Sequence, residues 1–219
     1  MRTDLLRARA ALTRAGFTLI ELLAVILIIG ILMTFLLPKI PEMMDATKVT
    51  ACRANMLEIW KGLQIYDSKH GDLPKQGGAK FVAALIADGV LENDKSSAVR
   101  LTCPGVKPSA LSGIADLEPT EWYSKLDQVS GDSTAYAGRD MKQHPLRKFP
   151  GSSKDALVAD DNDPEMNHRT TTIVLFASGS IQSYEISDLR KAGTLSEDEE
   201  RLIVGPDSPV EELQKLSLD

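Results

Sequence analysis

The sequence predicts an α+β protein, in which a long N-terminal helix, half suited to a membrane and half amphipathic, lies against an antiparallel β-sheet head. Three observations lead there. Residues 17–37 are apolar except for Thr18, Glu21, Gly30 and Thr34, and about twenty apolar residues are enough for a helix to cross a bilayer. Beyond Pro41, Val49, Cys52, Met56, Ile59, Trp60, Leu63 and Tyr66 recur at spacings of three and four, which is one apolar stripe on a continuing helix. Residues 170–176 and 180–186 are two β-rich runs around Ala177-Ser178-Gly179, the pattern of a hairpin. A sheet on the helix would bury the stripe.

The elements follow in order. Residues 1–16 form a short leader with Arg2, Arg7, Arg9 and Arg14 against one acid, Asp4. Positive charge holds its end of a span in the cytoplasm, so the chain after residue 37 is expected across the membrane. A secretory signal peptide would be cut after the apolar run at small residues, but Pro38-Lys39-Ile40-Pro41 stands there. Glu21 is the exception inside the span. An ionised carboxylate in hydrocarbon costs several kcal/mol, so its presence implies a partner. Pro38 removes a backbone donor and crowds the preceding turn, which bends or breaks the helix just past the span. The amphipathic half, residues 38–70, ends at His70-Gly71, with Gly71 as cap and Pro74 beyond.

In the head, residues 71–186, a short second helix is expected over 81–86, ending at Asp88-Gly89. Residues 99–102 read as a strand entering Cys103. Residues 104–155 are rich in Pro, Gly, Ser and Asp and read as loop-dominated, with short strands whose positions the pattern does not give. Residues 156–159 read as a central strand, followed by the hairpin. The tail, residues 187–219, is polar and reads as helix in two pieces. Ser196 with Glu199 makes a capping box, and Ser208-Pro209 is an N-cap followed by proline at the first helical position.

The composition, 43% hydrophobic and 26% charged over 219 residues, suits one globular domain plus an anchor. The formal charge is −6. The leader carries a net +3, so its removal leaves about −9. An acidic head argues against nucleic acid as a partner. Cys52 and Cys103 lie far apart in sequence. In an oxidising compartment they either bridge or stay as two free buried thiols. A bridge would close a loop of about fifty residues, worth on the order of 4 kcal/mol in the chain-entropy model. Three histidines spread over the chain, His70, His144 and His168, show no zinc-ligand spacing, so no metal or cofactor is expected. The run Asp160-Asp161-Asn162-Asp163, near Asn167 and His168, offers oxygen ligands to Ca²⁺ but lacks EF-hand spacing, and a solvated loop is the simpler reading. There is no nucleophile elbow and no phosphate-cradling loop, so the chain is not expected to be an enzyme.

The stretch Gly16-Phe17-Thr18-Leu19-Ile20-Glu21 with the apolar run behind it resembles the N-terminus of type IV pilins and type II secretion pseudopilins. The resemblance implies cleavage after Gly16 by a prepilin peptidase, N-methylation of Phe17, and retention of the span. It implies that Glu21, fifth in the mature chain, pairs with the N-terminal amine of a neighbouring subunit during assembly. It also matches Pro38 to a proline where pilin helices bend. An amine and a carboxylate that are each costly in lipid are less costly together.

A narrower resemblance covers Cys52-Arg53-Ala54-Asn55, Tyr66, Gly71 to Pro74, and Cys103-Pro104. It is similar to a branch of prepilin-like proteins that ends in a His, nine residues, then Asp-Gly. Here His168 is followed by nine residues and Ser178-Gly179. On these resemblances the chain is expected to be a structural filament subunit, single-pass in the inner membrane with a periplasmic head. Its partners would be other pilin or pseudopilin subunits, the prepilin peptidase and an inner-membrane assembly platform. The alternative is a membrane-anchored periplasmic binding or sensory domain that uses a prepilin-type leader.

Overall fold

The computed structural model describes residues 17–160 and 167–219. The chain divides into two compact units, one ending at Met43 and the other spanning Met44–Asp219; each is described by itself.

The first unit is built on helix α1, Leu19–Leu36, followed by a 3-10 turn over Leu37–Lys39. Every described residue of α1 is exposed. The turn tightens at Pro38, where the helix lacks a donor, and the Ile40 N–H bonds to the Leu37 carbonyl instead. Helix α2, Ile40–His70, continues from there. It ends where Gly71, at φ +75°, donates its N–H to the Asp67 carbonyl.

In the second unit, the stripe read from the sequence is the buried face of α2. Cys52, Met56, Ile59, Leu63 and Tyr66 are buried, and Val49 and Trp60 pack at the edge. Helix α3, Gly78–Ala87, lies beside it; Gly62 lets α2 approach Leu85, whose Cδ1 stands 3.1 Å from where a Cβ would be. Helix α4 covers Lys95–Arg100. This corrects the strand expected over 99–102. The Asp94 carboxylate caps the Ser97 N–H at 2.7 Å, a local bond that outweighs the β-propensity of Val99.

Among the described residues the sheet has five strands in the order β4-β3-β2-β1-β5, all antiparallel. They are β1 Tyr136–Arg139, β2 Ala156–Asp160, β3 Thr171–Phe176, β4 Ile181–Glu185 and β5 Leu216–Ser217. The expected hairpin is β3–β4. Strand β1 is a short strand within the loop-dominated segment 104–155, whose position the sequence does not give because four buried residues flanked by turns carry too short a pattern to read.

One sheet face packs on α2 and α3 through Tyr136, Leu157, Val158, Ile173 and Leu175. The other face, with Ala137, Ala156, Ala159, Val174 and Phe176, is covered by Leu195, Leu202, Val204, Val210, Leu213 and Leu216. The tail is therefore part of the core. It is also not the expected pair of helices. Past α5, Ile186–Lys191, it runs as bends and turns to a 3-10 turn at Leu213–Lys215. The Ser196–Glu199 bonds form, with the Ser196 N–H 2.7 Å from Glu199 Oε2. No helix follows, because Leu202 and Val204 are drawn onto the sheet and Gly205-Pro206 breaks the chain there. The compact unit that holds the sheet thus takes in most of α2 as well as the tail, Met44–Asp219.

Candidate functional site

Two places draw attention. At the start of α1, Thr18 is the N-cap and Glu21 its capping-box partner. Glu21 Oε2 accepts from the Thr18 N–H at 2.8 Å and from Thr18 Oγ1 at 2.7 Å, while the Glu21 N–H bonds to Thr18 Oγ1 at 3.3 Å. Such a box satisfies orphan donors of the first turn. In the single chain Glu21 therefore has a local partner on the helix that carries it. Phe17 precedes the cap and is exposed; Gly16 lies outside the described residues. Pro38 sits where α1 passes into the 3-10 turn.

The second place is in the head, where four segments meet. Cys52 comes from the buried face of α2, and Cys103 from the turn after α4. Asp160 ends β2, and His168 precedes β3. One ligand-type atom of each lies within 4.8 Å of those of the others, and all four residues are buried. His168 Nε2 is 3.4 Å from Cys103 Sγ and 3.4 Å from Asp160 Oδ2. The Cys52 thiol donates to Asp160 Oδ1 at 3.1 Å and lies 3.4 Å from the Tyr136 hydroxyl. The structure has Cys52 and Cys103 as free thiols.

Local structure explains why these four converge. The ladder pairs β1 with β2 so that Tyr136 stands opposite Asp160. An irregularity between Ala156 and Val158 shifts the β2–β3 register, so consecutive Leu157 and Val158 both enter the helix-side core. That bulge changes the phase of the strand and turns Asp160 toward α2. Asn55, one turn after Cys52, donates its side-chain N–H to the Thr102 carbonyl at 3.4 Å, next to Cys103. Gly105 allows the Cys103 turn to lie on the backbone of Asn167: a Cβ there would overlap the Asn167 carbonyl oxygen and come 2.6 Å from its carbon.

An outer ring completes the cluster. Asp160 Oδ2 accepts the Ile173 N–H at 3.1 Å, and the Gly105 N–H points at Cys103 Sγ at 3.3 Å. On the far side of the imidazole, Asp45 Oδ1 is 3.7 Å from His168 Nδ1, an ion-pair distance too long for a hydrogen bond. Asp45 Oδ2 accepts the Arg169 N–H at 3.1 Å. Burial pushes the Cys52 thiol well above its ordinary range, with neighbouring Cys103 and Asp160 adding to the effect. Burial likewise raises Cys103 and lowers His168, the latter against the pull of Asp45.

The residues quoted for the narrower resemblance thus divide. Cys52, Asn55, Cys103 and His168 gather at this cluster. Gly179 instead turns the β3–β4 hairpin at φ +85°, with Trp60 so near that a Cβ would lie 2.8 Å from its ring. Ser178 Oγ bonds to Ser180 Oγ at 2.8 Å. Of the residues weighed for Ca²⁺, Asp161, Asn162 and Asp163 lie outside the described residues, whereas Asp160, Asn167 and His168 are buried. Sequence reading missed Asp160 as a partner of the cysteines, and with it Tyr136 and Asp45. Spacing carries no signal for any of them.

Compared with known protein families, residues 12–37 match the prokaryotic N-terminal methylation motif. No curated protein and no solved structure matches the chain. The motif implies processing by a prepilin peptidase and assembly with other pilins, and the apolar helix behind it is long enough for a single membrane anchor. That motif at the N-terminus, with a long helix and a five-stranded antiparallel sheet of pilin-like architecture behind it, supports a place for the chain in the type IV pilin and pseudopilin family.

Proposed function

We propose that the chain is a structural subunit of a type IV pilus-like or type II secretion pseudopilus filament. It inserts with its leader in the cytoplasm and its head in the periplasm. It is cut after Gly16, methylated on Phe17, and drawn from the inner membrane by an assembly platform. The observation that carries this reading is one carboxylate, Glu21, in a helix that is otherwise apolar and wholly exposed in the single chain. An all-round apolar helix needs lipid or other helices around it. Moving α1 from lipid into a bundle of like helices changes its surroundings little, so extraction costs little. Glu21 would exchange its Thr18 bonds for the new N-terminal amine of a neighbour, which sets the register of assembly.

The mass of the N-terminal peptide of the purified protein tests cleavage and methylation together. The expected peptide begins at methylated Phe17, and Gly16→Val should leave full-length precursor. A protein that begins at Met1 would remove the proposal. A correctly cut protein that stays monomeric in the membrane under crosslinking would point to an anchored periplasmic domain instead.

A further inference from the structure

We propose that Cys52, Cys103, Asp160 and His168 form a structural zinc site that ties the head together. The observations are geometric. Zinc in structural sites takes four ligands in a tetrahedron, with bonds of about 2.3 Å to sulfur and 2.0–2.2 Å to nitrogen or oxygen, which places neighbouring ligand atoms about 3.3–3.8 Å apart. Here His168 Nε2 stands 3.4 Å from both Cys103 Sγ and Asp160 Oδ2, and Cys52 Sγ is 3.1 Å from Asp160 Oδ1. These three separations are close to the edge length of a zinc tetrahedron, and one ligand atom from each of the four side chains lies within 4.8 Å of the other three, so rotation of the Cys52 and Asp160 side chains would bring the set to zinc-bonding distance.

Chemistry selects the ion. Two sulfurs and an imidazole are borderline-soft to soft donors that suit zinc and disfavour Ca²⁺ and Mg²⁺. All four ligands are buried, and four protein ligands leave no position for a substrate or a reactive water, so the site is structural rather than catalytic. Outer groups are in place as well. Asp45 Oδ1 lies 3.7 Å behind His168 Nδ1, close enough that a shift of under an ångström would make the carboxylate–histidine–metal hydrogen bond, with Nε2 left for the ion. The Ile173 and Gly105 N–H groups point at Asp160 and at Cys103. On binding, each thiol releases its proton to solvent and coordinates as thiolate, so charge and protons balance without any redox partner.

The ligands come from α2, the turn after α4, the end of β2 and the segment before β3, which are separated by up to 116 residues of sequence from Cys52 to His168. One ion thus cross-links the helix to the sheet. The same two thiols, in an oxidising compartment, would otherwise be available for a bridge. The zinc site and the bridge are mutually exclusive outcomes.

The test uses the full chain purified in detergent. Elemental analysis should find about one zinc per chain, and Cys52→Ser or His168→Gln should bring it to background. Chelation should lower the melting temperature by roughly 10 °C, restored by zinc, for an ion bound far below its working concentration. Because those variants could misfold, the unaltered chain stripped of metal is also loaded with cobalt. The expected spectrum has sulfur-to-cobalt charge transfer and the intense visible bands of a tetrahedral ion. Three results would each overturn the proposal. One is a Cys52–Cys103 disulfide in the purified chain, seen as a mass deficit of two hydrogens. Another is a reduced chain that takes up neither zinc nor cobalt. The third is zinc retained in full by well-folded Cys52→Ser and His168→Gln.

Discussion

Gly179→Ala isolates how the hairpin is seated on the long helix. Two penalties arise at this position. At φ +85° the backbone is in the left-handed region, where a Cβ costs roughly 1–2 kcal/mol. The new methyl would also stand 2.8 Å from two ring carbons of Trp60, and Trp60 is half-held against the core and against Phe149 at a ring-centroid distance of 6.4 Å. Moving a packed indole falls within the 1–3 kcal/mol typical of overpacking. Together the loss should be about 2–5 kcal/mol, or roughly 4–20 °C in melting temperature for a head of this size. Gly193 supplies the control: it has φ +72° and nothing within 4 Å of its would-be Cβ. Gly193→Ala should therefore lose only the backbone part, about 1–2 kcal/mol. Thermal circular dichroism of both variants measures the difference. The reasoning about Trp60 fails if Gly179→Ala is no more damaging than Gly193→Ala. Ser178→Asp, which restores the acid of the related branch, should stay within about 0.5 kcal/mol, because the Ser178 side chain is exposed and bonds only within the turn.

Three further outcomes are expected. Leu202→Ala, in a tail residue with no exposed surface, should lose about 2–5 kcal/mol by urea unfolding, as a core leucine does; a loss below about 0.5 kcal/mol would return the tail to the surface. Tyr123 is held by a bond to the Ser133 carbonyl at 2.9 Å, and burial pushes its phenol up to about 12. The folded state keeps that proton longer than the unfolded one does. Its contribution is therefore fully present below pH 10 and lost as pH rises toward 12, by roughly 2–3 kcal/mol. Tyr123→Phe should flatten the alkaline fall in melting temperature, and an unchanged fall would contradict the assignment. Glu21→Leu should still insert and be processed but enter filaments poorly, and normal incorporation in a pull-down of sheared filaments would remove the role given to this carboxylate.

The parts of the fold that were legible in sequence are those in which neighbours along the chain determine the outcome. The apolar run with Glu21, the stripe from Val49 to Tyr66 and the β3–β4 hairpin each repeat a pattern of 3.6 or 2 residues over many positions. Where one strong local bond outweighed the pattern, the reading failed, as at Asp94, which starts a helix where a strand was expected. The tail failed for the opposite reason. Its capping bonds formed as read, but the uncovered sheet face drew Leu202 and Val204 away from any helix.

The sequence alone determined that the N-terminus has the chemistry of a membrane anchor: the basic stretch 1–16, the motif at residues 12–37 and an apolar run long enough to cross a bilayer are contiguous, and contiguous chemistry needs no fold to be read. The union of Cys52, Cys103, Asp160 and His168 was decided only by tertiary structure. Histidine counting argued against a metal because the ligands are scattered along the chain. Their meeting depends on the α2 face, on Gly105 lying against Asn167, and on a bulge in β2 that sets which way Asp160 points. A bulge changes side-chain phase by one residue through pairing with another strand, so the direction of Asp160 is a property of the sheet and not of the residues beside it.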